Sequence, residues 1–427
     1  MAFGLFPTGG ESNFFMIIQT ITTILFFGLI FFFPRIMLWQ IDRKLHAVLE
    51  TLDGYRMTTE EMFREKFTDS FSDSLEEKFE SLKDTKFSQP TGLDPAGMVQ
   101  KLEHVLDTSE DKFKRFIEKN ADTEDEQELA DLNMAFKGVM GTHQIYKIVR
   151  HFRKLIKGTQ NIQLIGLIRM MLPVYEELAE SQKDATRAFL DQAPIGDAIG
   201  PLVAAKMIED EPEEIAENIV QSEEEIDGQT IHVVKSDGPG ARLGKYGDAI
   251  DTLADENDLE AIVTVDAALK FEGEETGSVA EGVGVMMGGP GVEKSKIEEA
   301  ATDNDVPLEG VVIKQNAPEA SKAMKKEIFD AYQDAVDKAQ ELASEYDGEV
   351  AIVGVGNTCG VGNTKESTRG IHNRLRKYWK EYEEEEEEVS YMGMMSILPA
   401  GGDQQAHLES SSRIQEIRNS LIWGMVR

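Results

Sequence analysis

Apolar and polar residues divide this chain into three regimes, and the first is a run from Phe14 to Phe33, FFMIIQTITTILFFGLIFFF, that carries no charge. About twenty residues at roughly 1.5 Å rise cross a bilayer core of about 30 Å, so the run predicts a transmembrane helix over 14–33. No basic stretch precedes it and no small-residue cleavage site follows, which separates it from a cleaved signal peptide. Glu11 is the one charge before the run, whereas Arg35, Arg43 and Lys44 lie just after it. The positive-inside rule then places the N-terminus outside and the bulk of the chain in the cytoplasm, as a single-pass protein of the cell membrane. Trp39 suits an interfacial anchor.

Helical periodicity dominates the second regime. From Ile41 to about Lys86 two groups, Leu45, Val48, Leu49 and Leu52, then Phe63, Phe67, Phe71, Leu75 and Phe79, each recur at three to four residues. That spacing predicts an amphipathic helical stalk over 41–90, with its aromatic stripe buried against another helix. The length of the stripe makes self-association into a homo-oligomer an expectation. Pro90 and Pro95 interrupt the pattern, and a helical bundle is expected over 91–193. Within it the basic stretch Lys147, Arg150, Arg153, Lys154 and Lys157 either pairs with acidic helices of the bundle or meets anionic headgroups.

Near Pro194 the pattern changes again. Short β-branched runs (TIHVV, AIVTVDA, GVVIK, VAIVGV) alternate with helical stretches, including a long helix from about Glu319 to Tyr346. The whole therefore reads as an N-terminal transmembrane helix, a helical stalk and bundle, then an α/β domain over 194–380 with a largely parallel sheet. Residues 381–427 read as an acidic linker, Glu383 to Glu388, and an amphipathic segment bearing Ile414, Ile417, Leu421 and Ile422.

Charge adds an exclusion and an environment. With 79 acidic against 44 basic residues the formal charge is −35, so nucleic acid is not an expected partner. The acids are spread through the chain, as expected of a surface adapted to high salt and of a haloarchaeal source. Cys359 stands alone, which excludes an intrachain disulfide framework and a multi-cysteine metal cage.

Glycine-rich loops follow the strands, where ligands of such sheets bind. In SDGPGARLGKYG, the residues Asp237, Gly238, Gly240, Arg242 and Lys245 offer a cradle for a small anionic ligand or nucleotide; an ordinary strand-to-helix connection explains the same residues. In GVGNTCG, the residues Gly354, Gly356 and Asn357 would let backbone approach a phosphate, although the spacing departs from a dinucleotide fingerprint and the chain contains no P-loop. Cys359 in that loop is either a nucleophile with no assignable base or a small structural residue.

The segments GDAIGPLVAAKM, IHVVKSDGPG, VTVDAALKFEGEETG, VVIKQNAPE and VAIVGVGNTCG resemble the hydrogenase-maturation peptidases and their spore-protease relatives, in circularly permuted order because the first strand comes last. The resemblance implies a divalent metal ion held by Asp197 and Asp266, with Glu281 standing in for an absent histidine ligand, and metal-dependent hydrolysis. Without it, Asp197 reads as a helix N-cap and Asp266 as a strand-end carboxylate bonding nearby amides. PIGDAIGPLVA, DGPGARLGK, VDAALKFEGEETG and GGPGVEKSKIEE together resemble an archaeal single-pass membrane family, domain of unknown function 1512, to which no activity is assigned. Three functions stay open: an anion-binding module, a metal-dependent hydrolase, and a structural membrane scaffold.

Overall fold

The computed structural model describes residues 11–85, 97–158, 161–286 and 291–397. Five helices come first: α1 (Glu11–Phe67), α2 (Asp73–Lys83), α3 (Met98–Asn120), α4 (Glu126–Gly158) and α5 (Ile162–Leu190). Helices α1, α4 and α5 pack on one another through Ile41, Leu45, Val48 and Leu52 of α1, Val149 and Ile156 of α4, and Ile165, Ile168 and Leu172 of α5. One turn after another, the three-and-four spacing of α1 delivers these residues to the same side. Farther along, Phe63 and Phe67 meet Phe79 of α2, Phe116 of α3 and Phe136 of α4, with ring centroids 4.9 to 5.8 Å apart. The aromatic stripe is thus the joint of four helices.

The expected membrane span is corrected here. Residues 14–33 form the N-terminal part of α1, which continues without a break through Arg35, Asp42, Arg43 and Lys44. Within that part the hydroxyls of Thr20, Thr22 and Thr23 donate to the carbonyls of Met16, Ile18 and Gln19 at 2.7 Å. Among the described residues no helix is long and apolar enough to cross a membrane. The transmembrane helix, the single-pass placement with its N-terminus outside, and the assignment to the cell membrane all fall with it.

A 3-10 turn, Gly196–Ala198, opens the α/β region. Its elements are α6 (Ile199–Met207), β1 (Glu213–Ala216), β2 (Ile219–Ile226), β3 (Gln229–Ser236), α7 (Tyr246–Glu256), β4 (Leu259–Leu269), β5 (Val279–Val283), α8 (Val292–Asp303), β6 (Leu308–Gln315), α9 (Ala317–Ser321), α10 (Lys326–Asp330), α11 (Tyr332–Ala343) and β7 (Glu349–Gly354). The seven strands form one sheet in the order β1-β2-β3-β7-β4-β6-β5. Strands β3, β7, β4 and β6 are parallel, while β1, β2 and β5 join antiparallel at the edges. The sheet is therefore mixed. Its extra strands at one edge come from a hairpin: β2 turns into β3 through Asp227 and Gly228, whose φ values of 53° and 85° suit a two-residue turn with both central residues left-handed. The single long helix expected after Glu319 is instead α9, α10 and α11.

The last strand of the sheet, β7, sits at its centre between β3 and β4. Apolar side chains of β4 and β7 pack beneath α7 and α8, with Ile262, Ala351, Val353, Ile250 and Ile297 fully buried. Helix α12 (Ile371–Ile397) follows and contains the acidic run, with Glu383 to Glu387 exposed along it. Glutamate favours helix, and Lys380 lies 3.5 Å from Glu384 one turn on. The proline-bearing link at Pro90 and Pro95 and the segment around Ile414 lie outside the described residues.

Candidate functional site

The carboxyl ends of β4 and β7 meet the start of α6 at very close range. A Cβ on Gly200 would lie 2.2 Å from the Val355 carbonyl oxygen and 2.4 Å from that of Val265; one on Gly354 would lie 2.4 Å from the Gly200 oxygen. The missing side chains let helix backbone rest on strand backbone, and the Val355 N–H donates to Val265 O at 2.8 Å. Just beyond, Gly356 has φ of +139°, and a Cβ there would meet the Asp197 carbonyl at 2.0 Å. The chain thereby brings Asp197, Asp266 and the loop after β7 to one crevice.

That crevice has a volume of about 420 Å³. Asp197, Tyr246, Asp266, Glu293, Val355 and Gly356 line it from the α/β side, and Glu103, Leu106, Asp107 and Glu110 of α3 line it from the helical side. Asp197 does not cap a helix. Its Oδ2 instead accepts the backbone N–H of Asn357 at 3.0 Å. Asp266 is 3% exposed; its Oδ1 accepts the Ala267 N–H at 2.6 Å, and its Oδ2 is buried without a hydrogen-bond partner among the described residues. Burial, and after it the negative charge of Asp197, push the Asp266 carboxyl well above the usual carboxylate range. Burial raises Asp197 too, opposed by the Asn357 N–H. Glu293 is raised chiefly by burial and accepts the Gly247 N–H at 3.0 Å. The Tyr246 hydroxyl, held neutral by burial, donates to Gly354 O at 2.9 Å.

The glycine cradle is closed by the protein's own groups. Arg242 Nη1 pairs with Asp237 Oδ2 at 2.7 Å and donates to Gln127 Oε1 of α4 at 2.9 Å. Gly240 N–H donates to the same Gln127 oxygen, and Gly238 N–H to Asn363 Oδ1. Lys245 reaches into the crevice wall but is bound to Asp107 at 2.7 Å and Glu103 at 3.4 Å. Both cations that were to meet an anion therefore already meet carboxylates. Asn357 Oδ1 accepts the Cys359 N–H at 2.9 Å, which shapes the loop. Cys359 itself is fully buried, and burial pushes its thiol well up, away from the thiolate that a nucleophile needs.

Glu281 is not brought to this place. It lies on edge strand β5, where Lys338 of α11 holds it at 2.9 Å. Among the described residues no three His, Cys, Asp or Glu side chains converge as a set of metal ligands. Sequence reasoning also passed over Tyr246, Glu293 and the α3 carboxylates. Glu103, Asp107 and Glu110 do share one helix face by their spacing, but that face looks the same in sequence as a solvated one.

No curated protein and no solved structure matches this chain. Two family descriptions do: residues 19–192 match the "Protein of unknown function (DUF1512) N-terminal domain" and residues 195–362 match the "Domain of unknown function (DUF1512) C-terminal". Their boundary falls between α5 and the 3-10 turn, so the crevice is built by both segments. The two matches together take in most of the sequence, and the chain belongs to the DUF1512 family.

Proposed function

We propose that the crevice is a divalent-cation site centred on Asp197 and Asp266, and that the protein is a metal-dependent hydrolase of the kind its carboxylate pair resembles, the hydrogenase-maturation peptidases. One observation carries this reading: a buried aspartate oxygen with no partner, in a cavity it shares with a second carboxylate. A buried polar atom left unbonded is costly, and a cation supplies what it lacks. Two hard oxygen donors fit a cation that keeps several waters, such as Mg²⁺ or Mn²⁺, better than a closed zinc site with four protein ligands. Such an ion polarises a carbonyl and makes water a stronger nucleophile.

The chain's own groups would do the rest. Asp197 is held in place by the Asn357 N–H, Asp266 by its bond to Ala267, and Leu106, Leu243, Val292 and Val355 give the cavity apolar walls that exclude water from a bound substrate. An anionic ligand at Arg242 has less support, because Asp237 already neutralises that guanidinium. The acidic surface also supports a source adapted to high salt.

Thermal unfolding of the full-length chain with MgCl₂ or MnCl₂ tests the reading. A ligand at 100 times its Kd adds about 2.7 kcal/mol, so a clear rise in melting temperature is expected. The rise should vanish in Asp266→Asn. An equal response of that variant and the natural protein would remove the assignment.

A further inference from the structure

Between α1 and α4 lies a groove of about 370 Å³ whose charge opposes that of the chain around it. Its wall on α4 carries Arg150, Arg153, Lys154 and Lys157; its floor is Leu49 and Tyr146, and α1 contributes Glu50 and Asp53. Spaced at i, i+3, i+4 and i+7, the four cations stand on one face of the helix, where like charges repel. In a protein with 79 acidic residues, carboxylates to quench such a face are abundant.

The structure quenches only half of it. Asp42 takes Arg153 at 2.9 Å and Lys157 at 3.6 Å. Asp53 is turned to Arg56 at 2.7 Å, and Glu50 to His46 at 3.5 Å. Lys147, one step outside the groove, is bound to Asp84. Arg150 and Lys154, one turn apart and facing the cavity, make no ion pair among the described residues.

We propose that this groove binds a phosphate-bearing ligand, with Arg150 and Lys154 gripping the phosphate and Leu49 and Tyr146 meeting the part attached to it. An arginine fork matches phosphate oxygens in pairs, and a lysine one turn away adds a second charge to the same group. The site is separate from the crevice, and the proposal does not rest on the hydrolase reading.

Isothermal titration of the full-length protein with sodium tripolyphosphate, at low and high salt, tests it. Binding that weakens with salt is expected, as is a loss of about tenfold or more in Arg150→Ala/Lys154→Ala, because hydrogen bonds to charged groups are the strong ones. Lys147→Ala should bind as the natural protein does. Flotation with phosphatidylcholine vesicles, with and without phosphatidic acid, separates two sources of the same chemistry. Capture by the acidic vesicles that the double variant loses points to a lipid headgroup; tight tripolyphosphate binding without that capture points to a soluble phosphate. Should the alanine pair lower the melting temperature, Arg150→Gln/Lys154→Gln replaces it. Equal binding of both probes by the double variant and the natural protein, or binding of neither probe by the natural protein, overturns the proposal.

Discussion

Asn357 donates its backbone N–H to Asp197 Oδ2 at 3.0 Å across 160 positions of sequence. The bond ties the loop after β7 to the turn before α6, the two ends of the α/β region, and it explains why the carboxylate of Asp197 faces a crevice instead of capping its own helix.

The buried acid at the heart of that crevice should leave a mark on stability against pH. The folded carboxyl of Asp266 titrates well above its unfolded value. Between the two values the native state holds a proton that the unfolded chain has released, so stability falls as pH rises through that window. Asp266→Asn should flatten the fall, which amounts to about 1.4 kcal/mol for each pH step of one across the window, and be at least as stable as the natural protein at pH 8 without metal. Urea denaturation between pH 4 and 8 measures this. A steeper pH dependence in the variant would contradict it.

Asp131 offers an independent test at the seam between the two family segments. This α4 residue accepts the Ala241 N–H at 2.8 Å, and burial raises its carboxyl to about 7. The sign is the same as for Asp266: stability is lost from the unfolded value near 4 up to about pH 7, where the folded group ionises. Asp131→Asn keeps the acceptor oxygen and should recover about 2–4 kcal/mol at neutral pH relative to the natural chain. The comparison of unfolding free energies at pH 5 and pH 8 decides it, since a purely structural role would cost stability equally at both.

Gly200→Ala should be among the most damaging small substitutions available. The added carbon meets backbone oxygens of both Val355 and Val265, which no side-chain rotation relieves. A loss of about 3 kcal/mol or more is expected, at the upper end of what overpacking costs. Calorimetry would show the lower melting temperature; a variant as stable as the parent would mean that α6 slides easily on the sheet.

At the crevice wall, Lys245 reduces the negative potential that a cation would meet. Replacing it with methionine should tighten Mn²⁺ binding several-fold at low salt, because one unit charge a few Å away in a partly solvated site is worth about 1 kcal/mol or more. The gain should shrink as salt is added. Titration followed by the electron paramagnetic signal of free Mn²⁺ provides the measurement, and weaker binding in the variant would argue against a cation in the crevice.

Local pattern made parts of this fold legible, and each success had the same cause. Within α1 the residues Leu45, Val48, Leu52, Phe63 and Phe67, and within α2 Leu75 and Phe79, are buried because helical spacing decides which residues of one helix share a face. Strands β3, β4, β6 and β7 declared themselves by β-branched runs long enough to be covered on both sides. The edge hairpin was missed although Asp227-Gly228 is a turn signal, because the glutamates of β2 obscured its alternation. The run from Phe14 to Phe33 misled in the opposite way: it predicted a span bounded at Phe33, whereas it is the first part of one helix that continues to Phe67, and among the described residues no helix is long and apolar enough to cross a membrane.

By itself the sequence determined the helical and α/β halves, the acidic surface, the glycines that allow backbone to approach backbone, and the pairing of Asp197 with Asp266 as candidates. Tertiary structure alone decided which charges remain available. It placed Asp237 against Arg242 and Asp107 against Lys245, sent Glu281 to an edge strand, and, among the described residues, left Arg150 and Lys154 without an ion pair and one buried oxygen of Asp266 without a partner. The reason is physical: a residue's type and spacing fix what it can bond, but a charge or a lone pair is spent on whatever the fold brings within about 3 Å, and that neighbour comes from distant sequence.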